Sequence, residues 1–237
     1  MTQSFTPKTA RPTPSAVWIG LGAIALGVGF NAPYAALAAL YDYPQVLRRP
    51  PGEALDLFVA GGAPLILAWY AFMLSALALV PLAAGLSITS GRLAARPALA
   101  ISAAICGALA GLTQAIGLSR WVFAIPMLAH DTDRAGAEQS FALLNAWGGV
   151  AIGEHLGQGL TVLFVAQLAI LQWGEARRIS ASLGGLTTIL LAIGTGEALA
   201  LALGREGSVF ALFTVAGFAA LTAWLIATGL SLIRARA

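Results

Sequence analysis

The chain has little charge, one cysteine and two histidines among its 237 residues. Charged residues make up 10% of it, hydrophobic residues make up 59%, and the mean hydropathy is +0.84. This composition excludes an ordinary soluble domain and is typical of a membrane protein. The lone Cys106 excludes an internal disulfide. The sequence has no His-Glu-x-x-His zinc motif, and its two histidines exclude a haem held by two intramembrane histidines unless His130 folds inward. We predict no metal and no cofactor.

Six apolar runs approach or exceed the length of about 20 residues that a helix needs to cross a membrane. They predict an all-α polytopic membrane protein, a six-transmembrane-helix bundle with spans near 16–40, 59–89, 98–120, 141–172, 182–203 and 209–233. Residues 16–237 then form a single membrane domain, preceded by a disordered cytoplasmic tail over 1–15. The second and fourth runs exceed the required length, so we expect them to tilt, kink or project beyond the bilayer. Pro33, Pro64 and Pro81 are the expected kink sites in spans one and two.

The placement of lysine and arginine predicts the orientation of the bundle. One side holds a single acid, Glu175, and eight basic residues: Lys8, Arg11, Arg92, Arg96, Arg177, Arg178, Arg234 and Arg236. The other side holds seven acids and five arginines: Arg48, Arg49, Arg120, Arg134 and Arg205. Both termini are therefore predicted to be cytoplasmic. This bias accounts for the net charge of +3 and the pI near 9.5, so we do not infer nucleic-acid binding from them.

Two outer connections carry most of the polar residues outside the spans. In the first, over residues 41–58, Pro50 and Pro51 should stop any helix that precedes them. This connection is either an interfacial loop anchored by tyrosines or a lid over a substrate. In the second, His130 lies beside two aspartates, but adjacent ligands do not converge on a metal, and a solvated histidine is the simpler interpretation.

Glu154 and His155 lie side by side within the fourth apolar run. An ionisable residue at this depth costs roughly 2.5–3.5 kcal/mol on insertion scales, so residues kept there are usually functional. On an α-helix, Glu154 and Gln158 share a face, whereas His155 points about 100° away. Glycines at 149, 153 and 157 suit a close approach to a neighbouring helix.

Further polar residues from other spans fall at a similar depth in the outer half. The predicted layer consists of Asn31, Gln114, Arg120, Glu154, His155, Gln158 and Glu197. Two hypotheses explain it. Arg120 neutralises Glu154 or Glu197 in a structural ion pair, or the layer lines a pocket that opens to the outside. The inner half of the spans carries no charged residue, which argues against a complete ion pathway.

Several stretches resemble one family of bacterial membrane proteins, DUF4386. They are residues 43–51 (YPQVLRRPP), 60–62 (AGG), 69–72 (WYAF), 117–121 (GLSRW), 153–158 (GEHLGQ) and 194–197 (GTGE). The resemblance extends from span one to span five. It implies six spans and a bacterial cytoplasmic (inner) membrane, but no activity, because the function of that family is unknown.

Our leading hypothesis is a small-ligand or proton binding protein or carrier. Its site has Glu154 and His155 at the centre, Glu197 and Arg120 beside them, and hydrogen bonds from Asn31, Gln114 and Gln158. One alternative is a non-catalytic accessory subunit of a larger membrane complex. Another is an intramembrane enzyme that uses Glu154 or His155 as acid or base, although no nucleophile stands beside them. The expected partners are the lipid bilayer, a small molecule, and another membrane protein or a second copy, but no nucleic acid.

Overall fold

The computed structural model describes residues 14–234, which contain helices and no strand. Six helical spans are long and apolar enough to cross a membrane, and their bounds are Pro14–Tyr41, Pro51–Ser87, Pro97–Ala129, Arg134–Gly174, Arg178–Ala202 and Ser208–Arg234. The all-α, six-span prediction is confirmed at this level. The predicted tail lies mostly outside the described residues, and its last two positions, Pro14 and Ser15, already belong to span one.

The six spans form a closed ring. Each span packs against the next one along the chain, and span one packs against span six. Pro14 and Arg234 therefore lie at the same end of the bundle as the connections over 88–96 and 175–177, and we call this the termini end. The opposite end, which carries the connections over 42–50, 130–133 and 203–207, is the loop end. It corresponds to the predicted outer side.

The spans are regular near the termini end and broken near the loop end. Span one is interrupted at Phe30, between Pro14–Gly29 and Asn31–Tyr41, and span five at Thr195, between Arg178–Gly194 and Gly196–Ala202. Span three is interrupted at Ala124, between Pro97–Phe123 and Ile125–Ala129. Span four consists of the α-helix Arg134–Leu144, the π-helix Asn145–Leu156 and the α-helix Gly157–Gly174. Irregular backbone at this depth is tolerated where it is buried in protein or lines a cavity.

Two of the three predicted proline kinks are present. The break at Phe30 precedes Pro33, and a non-helical Gly62 (φ 54°, ψ −151°) precedes Pro64. Proline removes a helical hydrogen bond and its ring clashes with the carbonyl four residues earlier, so the distortion falls upstream of it. Span two keeps helical backbone angles around Pro81, so the helix is continuous there, and a kink at Pro81 stays a prediction.

The buried side chains form two clusters. The first fills the ring toward the termini end with residues such as Phe164, Leu168 and Trp224. The second lies at the loop end and is rich in aromatic rings, among them Tyr41, Trp69 and Trp121. The rings of Trp69 and Trp121 stack with centroids 4.7 Å apart and planes 7° apart, which fixes spans two and three to each other beneath the connection over 42–50.

The connection between spans one and two is packed onto the bundle. It contains a short 3-10 helix, Gln45–Arg48, in which Val46 is buried in the aromatic cluster. Asn145 Nδ2 donates to the Leu47 carbonyl over 3.3 Å. The 3-10 helix ends at Arg48, before the proline pair, as predicted. Span two begins at Pro51, earlier than the predicted start near residue 59. These contacts hold Arg48 against spans four and five, which are distant from it in sequence.

A cluster of charged residues lies at the termini end. Arg92, on the short helix Ser90–Ala95, is buried and donates from Nη2 to Glu175 Oε2 over 2.9 Å. Its Nη1 donates to the Leu86 carbonyl. Arg177 Nε lies 3.4 Å from the same Glu175. One carboxylate thus joins the two connections of this end.

Candidate functional site

Arg48 joins two glutamates that belong to different spans. Its Nη2 donates to Glu197 Oε1 on span five and lies 3.7 Å from Glu154 Oε2 on span four. The Glu197 side chain is 12% exposed and the Glu154 side chain is 28% exposed, so both side chains are largely shielded from solvent. The contact ties the 42–50 connection to the intramembrane carboxylates, and we call Arg48, Glu154, Glu197 and His155 the acid cluster.

Glu154 and His155 are adjacent on the π-helix Asn145–Leu156, where the sequence predicts an α-helix. A π-helix closes its hydrogen bonds over five residues rather than four, which changes the angle between successive side chains only slightly, so the separate direction expected for His155 stays a prediction. His155 Nδ1 lies 3.1 Å from the Thr195 carbonyl, at the point where span five is broken. Single π turns in helices occur frequently at functional sites, and here the π segment is 12 residues long.

A small cavity lies between these side chains. It has a volume of about 10 Å³ and is lined by Glu154, His155, Gln158, Gly194, Thr195, Glu197 and Ala198. This is roughly the smallest space that holds one water molecule. Four of the seven predicted site residues therefore converge: Glu154, His155, Gln158 and Glu197.

Arg120 does not neutralise either glutamate by direct contact. Its Nη1 donates to the Gly117 carbonyl, its Nη2 donates to Asn145 Oδ1 over 3.1 Å, and its guanidinium lies 5.0 Å from the centre of the Trp121 ring. Within residues 14–234, Arg48 is the arginine that forms ion pairs with these glutamates. The prediction of an Arg120 ion pair is wrong because the side chain turns back along its own span.

Three further polar side chains make local hydrogen bonds. Gln114 Nε2 donates to Thr161 Oγ1 over 3.0 Å, and Gln158 accepts from Thr214 Oγ1 over 3.5 Å. Asn31 Nδ2 donates to the Gly27 carbonyl over 2.8 Å and to Thr222 Oγ1 over 3.2 Å. Gln158 lines the small cavity. Gln114 and Asn31 instead join neighbouring spans, so the predicted single layer is divided into separate contacts.

Glycines place span four against span three. A Cβ atom on Gly157 would lie 2.7 Å from Gln114 Cγ, and one on Gly149 would lie 2.4 Å from Arg120 Nη2. The predicted glycine face of span four is therefore the face that meets span three. Because this face contacts span three, the opposite side of span four, which carries Glu154 and His155, faces span five.

The glutamates determine the electrostatics of Arg48. Burial by itself would lower the pKa of Arg48, but Glu154 and Glu197 together raise it above the ordinary value for an arginine. Arg48 therefore stays charged wherever the fold exists. At contact distance, two carboxylates share this one permanent positive charge.

Arg48 was not among the predicted site residues and was counted only as a loop charge. A signal was present, because arginines are depleted in outer loops and Arg48-Arg49 form an adjacent pair in a connection predicted to be outer. Asp42 and Glu53 both pair with Arg49, which leaves Arg48 to pair with Glu154 and Glu197.

No group of three or more histidine, cysteine, aspartate or glutamate side chains that could hold a metal occurs in the part of the chain that the structure describes. His130 Nδ1 lies 2.9 Å from the Pro126 carbonyl, on its own helix end. A comparison of the chain with protein-family models, curated proteins and solved structures finds no match in any of the three. The function is therefore inferred from the site alone.

Proposed function

We propose that this protein is a membrane-embedded binding protein or carrier for a proton or a small ligand, with the acid cluster as its site. The observation that carries the proposal is the sharing of Arg48 between Glu154 and Glu197. Charged groups in lipid are rare and usually mark pathways or binding sites. Glu154 and Glu197 belong to different spans and are joined by Arg48, which belongs to a connection. This arrangement supports a binding site whose ion pairs rearrange when a proton or ligand binds.

The charge balance of the cluster supports uptake of a positive charge. Glu154 and Glu197 contribute two negative charges against the single positive charge of Arg48 within contact distance. Within residues 14–234, Arg120 forms no ion pair with either carboxylate: its Nη1 and Nη2 donate to the Gly117 carbonyl and to Asn145 Oδ1, and its buried Nε has no hydrogen-bond partner. A proton or another monovalent cation at the carboxylates removes the remaining repulsion between them.

His155 supplies a second group that exchanges protons. A carbonyl oxygen is only an acceptor, so the contact with Thr195 requires a proton on Nδ1 and leaves Nε2 of the neutral ring to accept another. Histidine is the side chain whose ordinary pKa lies closest to neutral pH. Glu154 and His155 line the same water-sized cavity, which supports proton movement between them through one water molecule.

The cellular setting is part of the proposal. The excess of basic residues at the termini end supports an orientation with both termini in the cytoplasm. The resemblance of the 43–51 and 153–158 stretches to the DUF4386 family supports a bacterial cytoplasmic membrane. The acid cluster then lies in the half of the bundle nearer the outside.

The test is proton binding by the purified protein in lipid nanodiscs. Infrared difference spectra between neutral and acidic pH report the protonation of carboxylates. We expect a carboxyl signal that is lost in part in Glu154→Gln and in Glu197→Gln, and a shift of its midpoint in His155→Ala. Glu206→Gln is the matched control, because Glu206 lies exposed in the 203–207 connection and should leave the midpoint of the cluster unchanged.

A transport measurement separates a carrier from a binding protein. Proteoliposomes with an internal pH dye, driven by a potassium diffusion potential, should acidify faster than protein-free liposomes, and Glu154→Gln should slow them. A carboxyl signal that survives Glu154→Gln and His155→Ala unchanged would contradict the proposal. Copurification of a stoichiometric membrane partner, together with that result, would favour the accessory-subunit alternative.

A further inference from the structure

A larger groove opens beside the acid cluster at the loop end. Its volume is about 560 Å³, which is within the range of sites for drug-sized molecules. The 42–50 connection and the start of span two form one end, and spans four and five form the walls. The walls are mostly apolar, with Phe141, Val150, Leu199 and Leu201 among them.

The groove is continuous with the acid cluster. His155 and Ala198 line both the groove and the small cavity that holds the two carboxylates. Arg48 also lines the groove, while its guanidinium lies between Glu154 and Glu197. A molecule in the groove thus needs to displace only this guanidinium to reach both carboxylates.

The charges around the groove favour a cation. Arg49, the other arginine on its wall, is already paired with Asp42 and Glu53. Two arginines thus contact four carboxylates, and an anion would have to break these pairs. Arg120 is not among the residues that line the groove and donates to Asn145, so both arginines on the groove wall already have carboxylate partners.

We infer that the groove binds a lipophilic organic monocation, whose apolar body lies along spans four and five and whose charge replaces the Arg48 guanidinium between Glu154 and Glu197. This inference rests on the proposed function and names the class of its ligand. Arg48 acts as a resident cation that occupies the site when the ligand is absent. The connection that carries it is anchored to the bundle through Val46 and Leu47, so the arginine side chain moves while the backbone stays.

The experiment compares two ions of nearly the same shape and opposite charge. Tetraphenylphosphonium and tetraphenylborate are titrated by equilibrium dialysis against the protein in phosphatidylcholine nanodiscs, with empty nanodiscs as the correction for partition into lipid. We expect saturable binding of tetraphenylphosphonium and none of tetraphenylborate. Glu154→Gln should weaken the binding about tenfold or more, because removing one charge of a desolvated pair costs at least that factor. Glu206→Gln should leave it unchanged.

Two variants test the geometry. Arg48→Gln removes the resident cation and should tighten the binding of tetraphenylphosphonium, the opposite of what a ligand held by Arg48 would show. Ala142→Trp places a large ring on the groove wall, on the part of span four that is distant from Glu154, and should abolish cation binding while the infrared carboxyl signal is kept. Circular dichroism and gel filtration establish that each variant is folded.

The outcomes separate the inference from the proposed function. If tetraphenylphosphonium does not bind saturably but the carboxyl signal of Glu154 is present, the inference fails and proton binding stands. If tetraphenylborate binds as well as the cation, or Arg48→Gln weakens cation binding, the inference also fails, and an anionic ligand or a lipid chain is the occupant. If both binding and the carboxyl signal are absent, both proposals fail.

Discussion

Gly117 and Gly153 bring the backbones of spans three and four into direct contact. A Cβ atom on Gly117 would lie 2.6 Å from the Cα atom of Gly153 and 3.0 Å from the Gly148 carbonyl oxygen. Both obstacles are backbone atoms, so no side-chain rotation relieves the overlap. Gly153 directly precedes Glu154, and this contact therefore sets the position of the acid cluster.

Gly117→Ala should lower the stability of the protein by about 1–3 kcal/mol, the usual cost of overpacking. The measurement is the thermal unfolding midpoint in detergent. Gly159→Ala is the control, because a Cβ atom on Gly159 meets nothing within 4 Å and alanine favours a helix. Equal unfolding midpoints for the two variants would show that spans three and four can move apart without a loss of stability.

Gly62→Ala should destabilise span two through its backbone. Gly62 has φ 54° and ψ −151°, a combination that is essentially restricted to glycine and costs other residues about 1–3 kcal/mol. Gly185→Ala, which lies in a regular helix with open space around it, should instead raise the midpoint. A loss of stability in Gly185→Ala, or none in Gly62→Ala, would contradict the assigned conformation.

The stability of the fold should fall at alkaline pH because of Tyr43. Burial, followed by the charge of Glu154 and by Tyr34, raises the pKa of Tyr43 above its ordinary value of 10.0 and outweighs Arg120 and Arg48, which lower it. A raised pKa in the folded state means that the neutral phenol stabilises the fold below pH 10, and that this stabilisation is lost as the pH rises above 10.

Tyr43→Phe removes this ionisation. The variant should therefore lose less stability between pH 9 and the alkaline limit of folding than the unmodified protein does (these limits are chosen to bracket roughly the ordinary tyrosine pKa). The measurement is the unfolding midpoint as a function of pH, with tyrosinate absorbance recorded in parallel. Identical pH profiles for both proteins would show that Tyr43 is solvated.

Glu175→Gln should leave Arg92 buried without its carboxylate. Removing one partner of a buried ion pair costs about 3 kcal/mol or more, and we expect the lower end of this range because Glu175 is 29% exposed. The double variant Arg92→Met/Glu175→Gln should lose less stability than the single one, since it leaves no buried charge. A double variant that is the less stable of the two would contradict this assignment.

The spans could be predicted from sequence because apolar length and proline act locally. The distortions before Pro33 and Pro64 follow from the residues at those positions. The start of span two was predicted near residue 59 but lies at Pro51, because apolar length alone does not mark where a helix begins outside the apolar run. At Pro81 the backbone angles stay helical, so a proline alone does not decide where a span is interrupted.

The site could be predicted only in part. Counting residues along a span gives the depth of a side chain, and this placed Glu154, Gln158 and Glu197 together correctly. The π-helix that carries Glu154 and His155 was not predicted, because the sequence indicated an α-helix there. The reach of Arg48 depends on how the 42–50 connection folds over the bundle, and this is decided by contacts between residues such as Leu47 and Asn145 that are 98 positions apart.

Because spans one and six close the ring, one side of the bundle remains open until the 27 residues of Ser208–Arg234 have been synthesised. Arg48 and Glu197 are 149 positions apart, so the arginine is synthesised well before this acidic partner. Glu154 precedes Glu197 along the chain and is also synthesised first. The arrangement in which both carboxylates share Arg48 can therefore form only after span five has been synthesised.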